Sequence, residues 1–175
     1  MKTGLAEFVR NVPDFPKKGI IFKDITTLIR DGDKFRIAVD TIVSKFKSKN
    51  VDVVVSVEAR GFILGSAVAY NMGAGLVPVR KKGKLPYLTH SVNYDLEYGT
   101  DTLEIHRDAF KKNAKVLIVD DLLATGGTTN AVVKLVEKMG GKVIGLAFLI
   151  ELLALKGRDK LKGYPIFSLI KDKYC

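Results

Sequence analysis

The sequence predicts an α/β domain with a central parallel sheet flanked by helices, and two patterns carry that expectation. Four short apolar runs rich in β-branched residues, "VDVVVSV" (51–57), "GLVPVR" (75–80), "KVLIVDD" (115–121) and "KVIGLAFLI" (142–150), read as strands buried on both faces. Between them, apolar residues recur at spacings of three and four: Phe35, Val39, Ile42, Val43 and Phe46, then Val132, Leu135, Val136 and Met139. Strand–helix alternation of this kind implies a parallel sheet covered by helices on both faces.

In chain order, "MKTGLAEFVRNVPDF" has no continuous apolar core, so it is not expected to be a signal peptide. The helix over 35–46 ends in "SKFKSKN", whose lysines read as solvated surface. The strand 51–57 runs into Glu58, and Arg60 and Gly61 open the next helix. After the strand 75–80 comes a segment, 81–101, with glycines, one proline and several charges. A loop of that length inside a compact domain is usually functional, often a lid. The strand 115–121 ends in Asp120 and Asp121, and a Gly/Thr loop leads into the next helix. The most apolar stretch, "VIGLAFLIELLAL", is too short for the roughly 20 residues of a membrane span, and Glu151 interrupts it.

At 175 residues the chain is expected to be a single domain, 1–175, long enough to bury its own core. The lone cysteine, Cys175, excludes an intrachain disulfide and fits a reducing compartment, so the expected location is the cytoplasm. His90 and His106 have no metal spacing and no nucleophile partner, so they read as structural or surface residues. The net charge of +10 suggests an anionic partner, either nucleic acid or a phosphorylated small molecule. "RKKGK" gathers Arg80, Lys81, Lys82 and Lys84 around a glycine, but no aromatic-rich strand or recognition-helix motif accompanies it, so the nucleic-acid reading is the weaker one.

The loop "ATGGTT" has the makings of a phosphate cradle. Gly126 and Gly127 let the backbone turn tightly and approach a ligand, Thr125, Thr128 and Thr129 add hydroxyls, and the following helix offers free N–H groups. It is not a Walker A loop, because no Lys precedes its Ser/Thr. Ionised Asp120 and Asp121 only accept hydrogen bonds, which suits a vicinal pair of hydroxyls a few Å from a phosphate, as in a ribose phosphate. The alternative is that one Asp caps the helix and the other faces water. In "SVEARGF", an Arg fork at a strand's carboxyl end suits a second anionic group.

"VLIVDDLLATGGTT" resembles the signature of type I phosphoribosyltransferases, which use 5-phosphoribosyl pyrophosphate (PRPP). The resemblance implies that family's fold, with a small N-terminal hood (1–30) and a flexible lid (81–101). It also implies that Asp120 and Asp121 hold the ribose hydroxyls while Ala124, Thr125, Gly126, Gly127 and Thr128 hold the 5-phosphate. Glu58, Ala59, Arg60 and Gly61, with Arg80, Lys81 and Lys84, then form the pyrophosphate side. "FPKKGIIFKDIT" (15–26) and "NYDLEYG" narrow the resemblance to adenine-specific members. By that resemblance Ile21, Phe22 and Lys23 line the base site, Phe22 covers one face of the base, and Leu152 covers the other. Lys23 departs from the "FRDI" form usual in the family, which leaves open what the Arg side chain does there.

The implied reaction is adenine plus PRPP giving AMP and pyrophosphate, with no covalent nucleophile. Arg60 and the basic cluster, with Mg²⁺ carried on the substrate, would neutralise the departing pyrophosphate. No direct protein ligand for the metal is assigned beyond Asp120 or Asp121 as candidates. Glu97 is expected over N7 of the base, with Tyr98 beside it. The resemblance also implies a homodimer, with the basic segment after strand 75–80 near the neighbouring subunit's pyrophosphate site. The rival readings are transfer to hypoxanthine or xanthine, and a regulator that senses PRPP or purines without turnover.

Overall fold

The computed structural model describes residues 4–95 and 100–173. Its N-terminal part is a small two-stranded antiparallel sheet, β1 (Arg10–Pro13) with β2 (Ile21–Asp24), in the register Arg10↔Asp24. A short helix, α1 (Thr26–Ile29), leads to α2 (Gly32–Phe46). Asp31 starts α2 by accepting hydrogen bonds from the N–H groups of Asp33 and Lys34, both at 3.1 Å, the usual way a side chain satisfies orphan donors at a helix N-terminus.

The main sheet has seven strands: β3 (Val53–Val57), β4 (Gly75–Lys81), β5 (Thr89–Asp95), β6 (Thr100–His106), β7 (Lys115–Leu123), β8 (Lys142–Leu152) and β9 (Ile166–Asp172). Their order is β5-β6-β4-β3-β7-β8-β9. The five strands from β4 to β9 in that order run parallel, and β6 and β5 extend the sheet antiparallel beyond β4. α2 and α3 (Arg60–Met72) cover one face with Ile42, Phe46, Leu64 and Val68 against Val54, Leu117 and Leu149. α4 (Gly127–Lys138) covers the other with Val132, Leu135 and Val136 against Val55, Ile118 and Phe148. Each fully buried side chain of this kind contributes about 1.5–3 kcal/mol. The architecture is the expected one: a central, mostly parallel sheet with helices on both faces.

Three features differ from the sequence-based expectation. The segment 81–101 is not one irregular loop: β5 and β6 pair along its length, from Thr89↔His106 to Asp95↔Thr100. Charged and polar residues hide the alternation there: in β6 the charged Glu104 is buried between Leu103 and Ile105. β9 was not anticipated, because "PIFSLIKD" is followed by no further periodic element. The strand carrying the acidic pair also runs past it, since Leu122 and Leu123 still pair with Ile150 and Glu151 of β8.

Candidate active site

The carboxyl ends of β3, β4 and β7 open into one cavity of about 280 Å³. It is lined by Glu58, Ala59 and Arg60, by Lys81, by Asp120 and Asp121, and by the loop Ala124 to Thr129. Sequence segments far apart in the chain meet here because parallel strands place all their carboxyl ends on one edge of the sheet. Val57, Tyr94, Leu103 and Leu122 complete the wall.

The loop after β7 takes the form its glycines allow. Gly126 stands at the N-terminal end of α4 with φ 78°, a left-handed conformation that L side chains rarely adopt, and no side chain caps the helix. The first N–H groups of α4 therefore have no side-chain partner and are available to an anion at the positive end of the helix dipole. Gly126 has a second constraint: a Cβ there would lie 2.3 Å from the carbonyl oxygen of Gly157.

Asp120 packs under the first turn of α3, where a Cβ on Gly61 would fall 2.5 Å from Asp120 Oδ1. The backbone N–H of Asp121 donates to the same oxygen at 2.9 Å. Asp121 Oδ2 lies 2.8 Å from Arg60 Nε. Burial pushes the Asp120 carboxyl well above the ordinary value of 3.8, and the adjacent charge of Asp121 adds to it. Burial also raises Asp121, though Arg60 pulls in the opposite direction.

These shifts predict a trade between binding and stability. For Asp120, the folded-state value lies above the unfolded one. Its stabilising contribution is therefore complete below about pH 3.8 and is lost as pH rises through the folded value. Asp120→Asn removes that penalty while leaving the Arg60–Asp121 pair in place. The variant should melt above the wild type at pH 7–8, with the gap closing toward pH 4 in a thermal series. Calorimetry of the same variant should show PRPP and AMP bound about tenfold or more weakly, since hydrogen bonds to a charged group are worth roughly 1.5–3 kcal/mol. Unchanged binding would remove Asp120 from the ligand contacts.

The "EARG" turn uses its charges in two directions. Glu58, joined to Ala59 by a cis peptide, accepts from the Lys81 backbone N–H, from Lys84 Nζ at 2.9 Å and from Arg80 Nη2 at 3.2 Å. Burial alone would raise its carboxyl, but these hydrogen bonds outweigh it and hold Glu58 below the ordinary range. Lys81 Nζ pairs with Asp101 at 2.9 Å. Three of the four cations in "RKKGK" thus have carboxylate partners, which weakens the cluster as a free patch for nucleic acid.

Arg60 reaches the other way. Besides Asp121, it donates from Nη1 to the Lys23 carbonyl at 3.3 Å, and its guanidinium lies 4.7 Å from the centre of the Phe22 ring. This is a cation–π geometry. It ties the hood strand β2 to the acidic pair. Phe22 also meets Phe15 edge-on at 5.1 Å.

The other residues assigned to the base site divide by strand alternation. The Ile21 and Lys23 side chains line a different cavity, of about 460 Å³, shared with Ile150, Ile170 and Asp172. Lys23 is buried, ion-paired with Asp172 and within 3.1 Å of Asn11 Oδ1. This is what the Lys side chain does in place of Arg: it fastens the hood to β9, leaving only its backbone on the Arg60 side. Leu152 is buried at the end of β8, in the core on the α2/α3 side. Glu97 and Tyr98 lie outside the described residues.

Several residues at the site were not singled out from sequence. Tyr94 lines the cavity, hydrogen-bonds Asp101 and Thr128, and has its hydroxyl pushed up by burial and by Asp101. Its partner depends on the β5–β6 register, so no local pattern announced it. Ser56, the single polar residue in "VVVSV", sits 2.7 Å from the Gly61 carbonyl and 2.6 Å from that of Val119, and so links the two loops from below. A lone serine in a buried strand is a signal that could have found it. Gly157, against Gly126, had none.

A mostly parallel sheet that brings a Gly/Thr loop, an acidic pair and a basic turn to one cavity is chemically suited to a phosphorylated sugar. The chain belongs to the phosphoribosyltransferase family: residues 27–173 match its model, described as "Phosphoribosyl transferase domain". Similar proteins within that family include adenine phosphoribosyltransferases. That of Clostridium kluyveri is 62% identical over 167 residues, covering 95% of this chain and 97% of its own. That of Clostridium perfringens is 64% identical over 166 residues, covering 95% and 96%. The crystal structure of adenine phosphoribosyltransferase from Thermoanaerobacter pseudethanolicus matches with a TM-score of 0.95 at 50% identity, covering 98% of this chain and 100% of that one. The enzyme from Saccharomyces cerevisiae, complexed with an imino-altritol bisphosphate and adenine, matches at 0.91 and 37% identity, covering 96% and 97%.

Proposed function

We propose that this protein transfers the 5-phosphoribosyl group of PRPP to N9 of adenine, giving AMP and pyrophosphate, as a pentosyltransferase of purine salvage. The observation that carries the reading is the single cavity that brings a phosphate loop, an acidic pair and the "EARG" turn within reach of one ligand. The naming of its relatives, and adenine in the yeast complex, support the choice of base.

In this reading the loop from Ala124 to Thr128 holds the 5-phosphate through its N–H groups and hydroxyls. Asp120 and Asp121 accept from the ribose 2′- and 3′-OH and fix the ring. Phe22 offers a flat apolar face to the base, and Arg60 stands between that face and the acidic pair, where its charge opposes the negative charge developing on the leaving group. Arg80, Lys81 and Lys84, with the backbone of Ala59 and Gly61, complete the pyrophosphate side.

Among the described residues, no cluster of three or more His, Cys, Asp or Glu could cage a metal. The site still fits Mg²⁺, which keeps several waters and takes one or two carboxylates plus substrate phosphates. Asp120 and Asp121, both raised by burial, are the side chains that would gain from it. When bound, the ion supplies charge neutralisation on the pyrophosphate.

The homodimer is also part of the proposal. α3 and β4 leave Ile63, Tyr70 and Leu76 exposed, Tyr70 at 90%, and such a face is more easily explained by a second subunit than by water. Sedimentation at the 19.3 kDa monomer mass would count against it. Among the described residues no helix is long and apolar enough to cross a membrane, and with the lone Cys175 we place the enzyme in the cytoplasm.

The test of function is to incubate the protein with Mg²⁺, PRPP and each nucleobase while following pyrophosphate release. Release with adenine is expected. Release with hypoxanthine or xanthine instead would move the enzyme to another base, and tight PRPP binding without release would make it a sensor.

A further inference from the structure

Glu151, which interrupts the most apolar stretch of the chain, is 3% exposed at the end of β8. A carboxylate that deep needs a partner, and it has a two-pronged one. Arg158 Nε and Nη2 both donate to it, to Oε1 and to Oε2, the latter at 2.7 Å. Arg158 is itself braced on β9 by the Ile166 carbonyl and Ser168 Oγ, both at 3.5 Å. The pair closes the intervening residues 152–157 into a staple that ends at Gly157.

Gly157 is where the staple touches the phosphate loop. A Cβ on it would lie 2.2 Å from the Ala124 carbonyl oxygen and 3.1 Å from Gly126 N. Reciprocally, a Cβ on Gly126 would lie 2.3 Å from the Gly157 carbonyl. The two backbones are in direct contact, and each glycine is bare because the other occupies the space. No side-chain cap holds Gly126 in its left-handed conformation, and the Gly157 backbone is the neighbour packed directly against it.

We propose that Glu151 and Arg158 are positioning residues: their bidentate pair holds Gly157 as a rigid buttress behind Ala124–Gly126, keeping the phosphate loop in its anion-binding shape. The inference rests on the phosphoribosyltransferase reading of that loop. Neither side chain lines the cavity. A planar guanidinium is required, because an ammonium cannot make two parallel hydrogen bonds to one carboxylate.

The experiment compares binding of AMP and adenosine, which differ only in the 5′-phosphate, by calorimetry in wild type, Arg158→Lys and Gly157→Ala. Both variants should lose AMP affinity about tenfold or more, as when a charged hydrogen bond is lost, while adenosine affinity stays within about threefold. In turnover, KM for PRPP should rise while kcat at saturating PRPP holds. Gly157→Ala disturbs the buttress without touching the ion pair, so it decides the matter if Arg158→Lys fails to fold. Equal losses for AMP and adenosine, or no loss for either, would overturn the buttress. If the wild type itself shows no preference for AMP over adenosine, the assignment of the phosphate loop fails instead.

Discussion

Gly126→Ala is expected to lower AMP affinity and kcat/KM for PRPP by roughly 10²–10⁴-fold. Two constraints act together. At φ 78° an L residue pays strain of order 1–3 kcal/mol, and its Cβ would stand 2.3 Å from a backbone oxygen of Gly157 that cannot rotate away. The loop must therefore move, and with it the N–H groups at the start of α4. Losing two hydrogen bonds to a phosphate, at roughly 1.5–3 kcal/mol each, accounts for the range. Gly163→Ala is the control: its φ is also positive, 95°, but a Cβ there meets nothing within 4 Å. That variant should lose some stability and keep its binding. If Gly126→Ala binds AMP like the wild type, the loop does not hold the 5-phosphate.

Glu97→Ala should lower kcat by about 10²–10⁴-fold, the usual contribution of a positioned proton-transfer group, with little change in PRPP affinity. Adenine attacks through N9, and as positive charge builds on the ring a proton must leave N9 or be managed at N7. Adenine is a poor acid, so a carboxyl at the imidazole edge lowers the barrier. In the proposed reading the phosphate and ribose contacts belong to other residues, which is why affinity should hold. Glu97→Gln should be milder, since its amide can still donate to N7 but cannot exchange a proton. Nearly full single-turnover kcat in Glu97→Ala would remove the residue from the chemistry.

Much of this site was legible because its determinants are local. The Gly-Gly-Thr-Thr turn after an apolar strand, the Asp pair before it and the Arg at the next strand's end each follow from bonding capacity and backbone freedom within a few residues. The strands β3, β7 and β8 were equally plain, since residues buried on both faces leave unbroken apolar runs, whereas β4 keeps its apolar run although Gly75 and Leu76 are exposed.

The edges of the sheet were not. In β5 and β6 the apolar alternation is diluted by the half-buried Asp101 and by Glu104, a charged residue buried between Leu103 and Ile105, so only the pairing reveals the strands. The orientation of the base segment was hidden for a related reason. Strand alternation sends Phe22 toward Arg60 but Lys23 toward Asp172, and Asp172 lies on a strand that no periodic pattern announced.

By itself, then, the sequence determined the fold class and marked the Gly/Thr loop and the acidic pair as candidates for one site, because periodicity and side-chain bonding are properties of neighbouring residues. Only the tertiary structure decided who partners whom. It turned three of the four "RKKGK" cations onto Glu58 and Asp101, aimed Arg60 between the hood and Asp121, and set Gly157 against Gly126. Those contacts join segments that no local pattern relates. They exist because parallel strands bring distant turns to one edge of a sheet, where burial makes each charge find a partner and each bare glycine a neighbour.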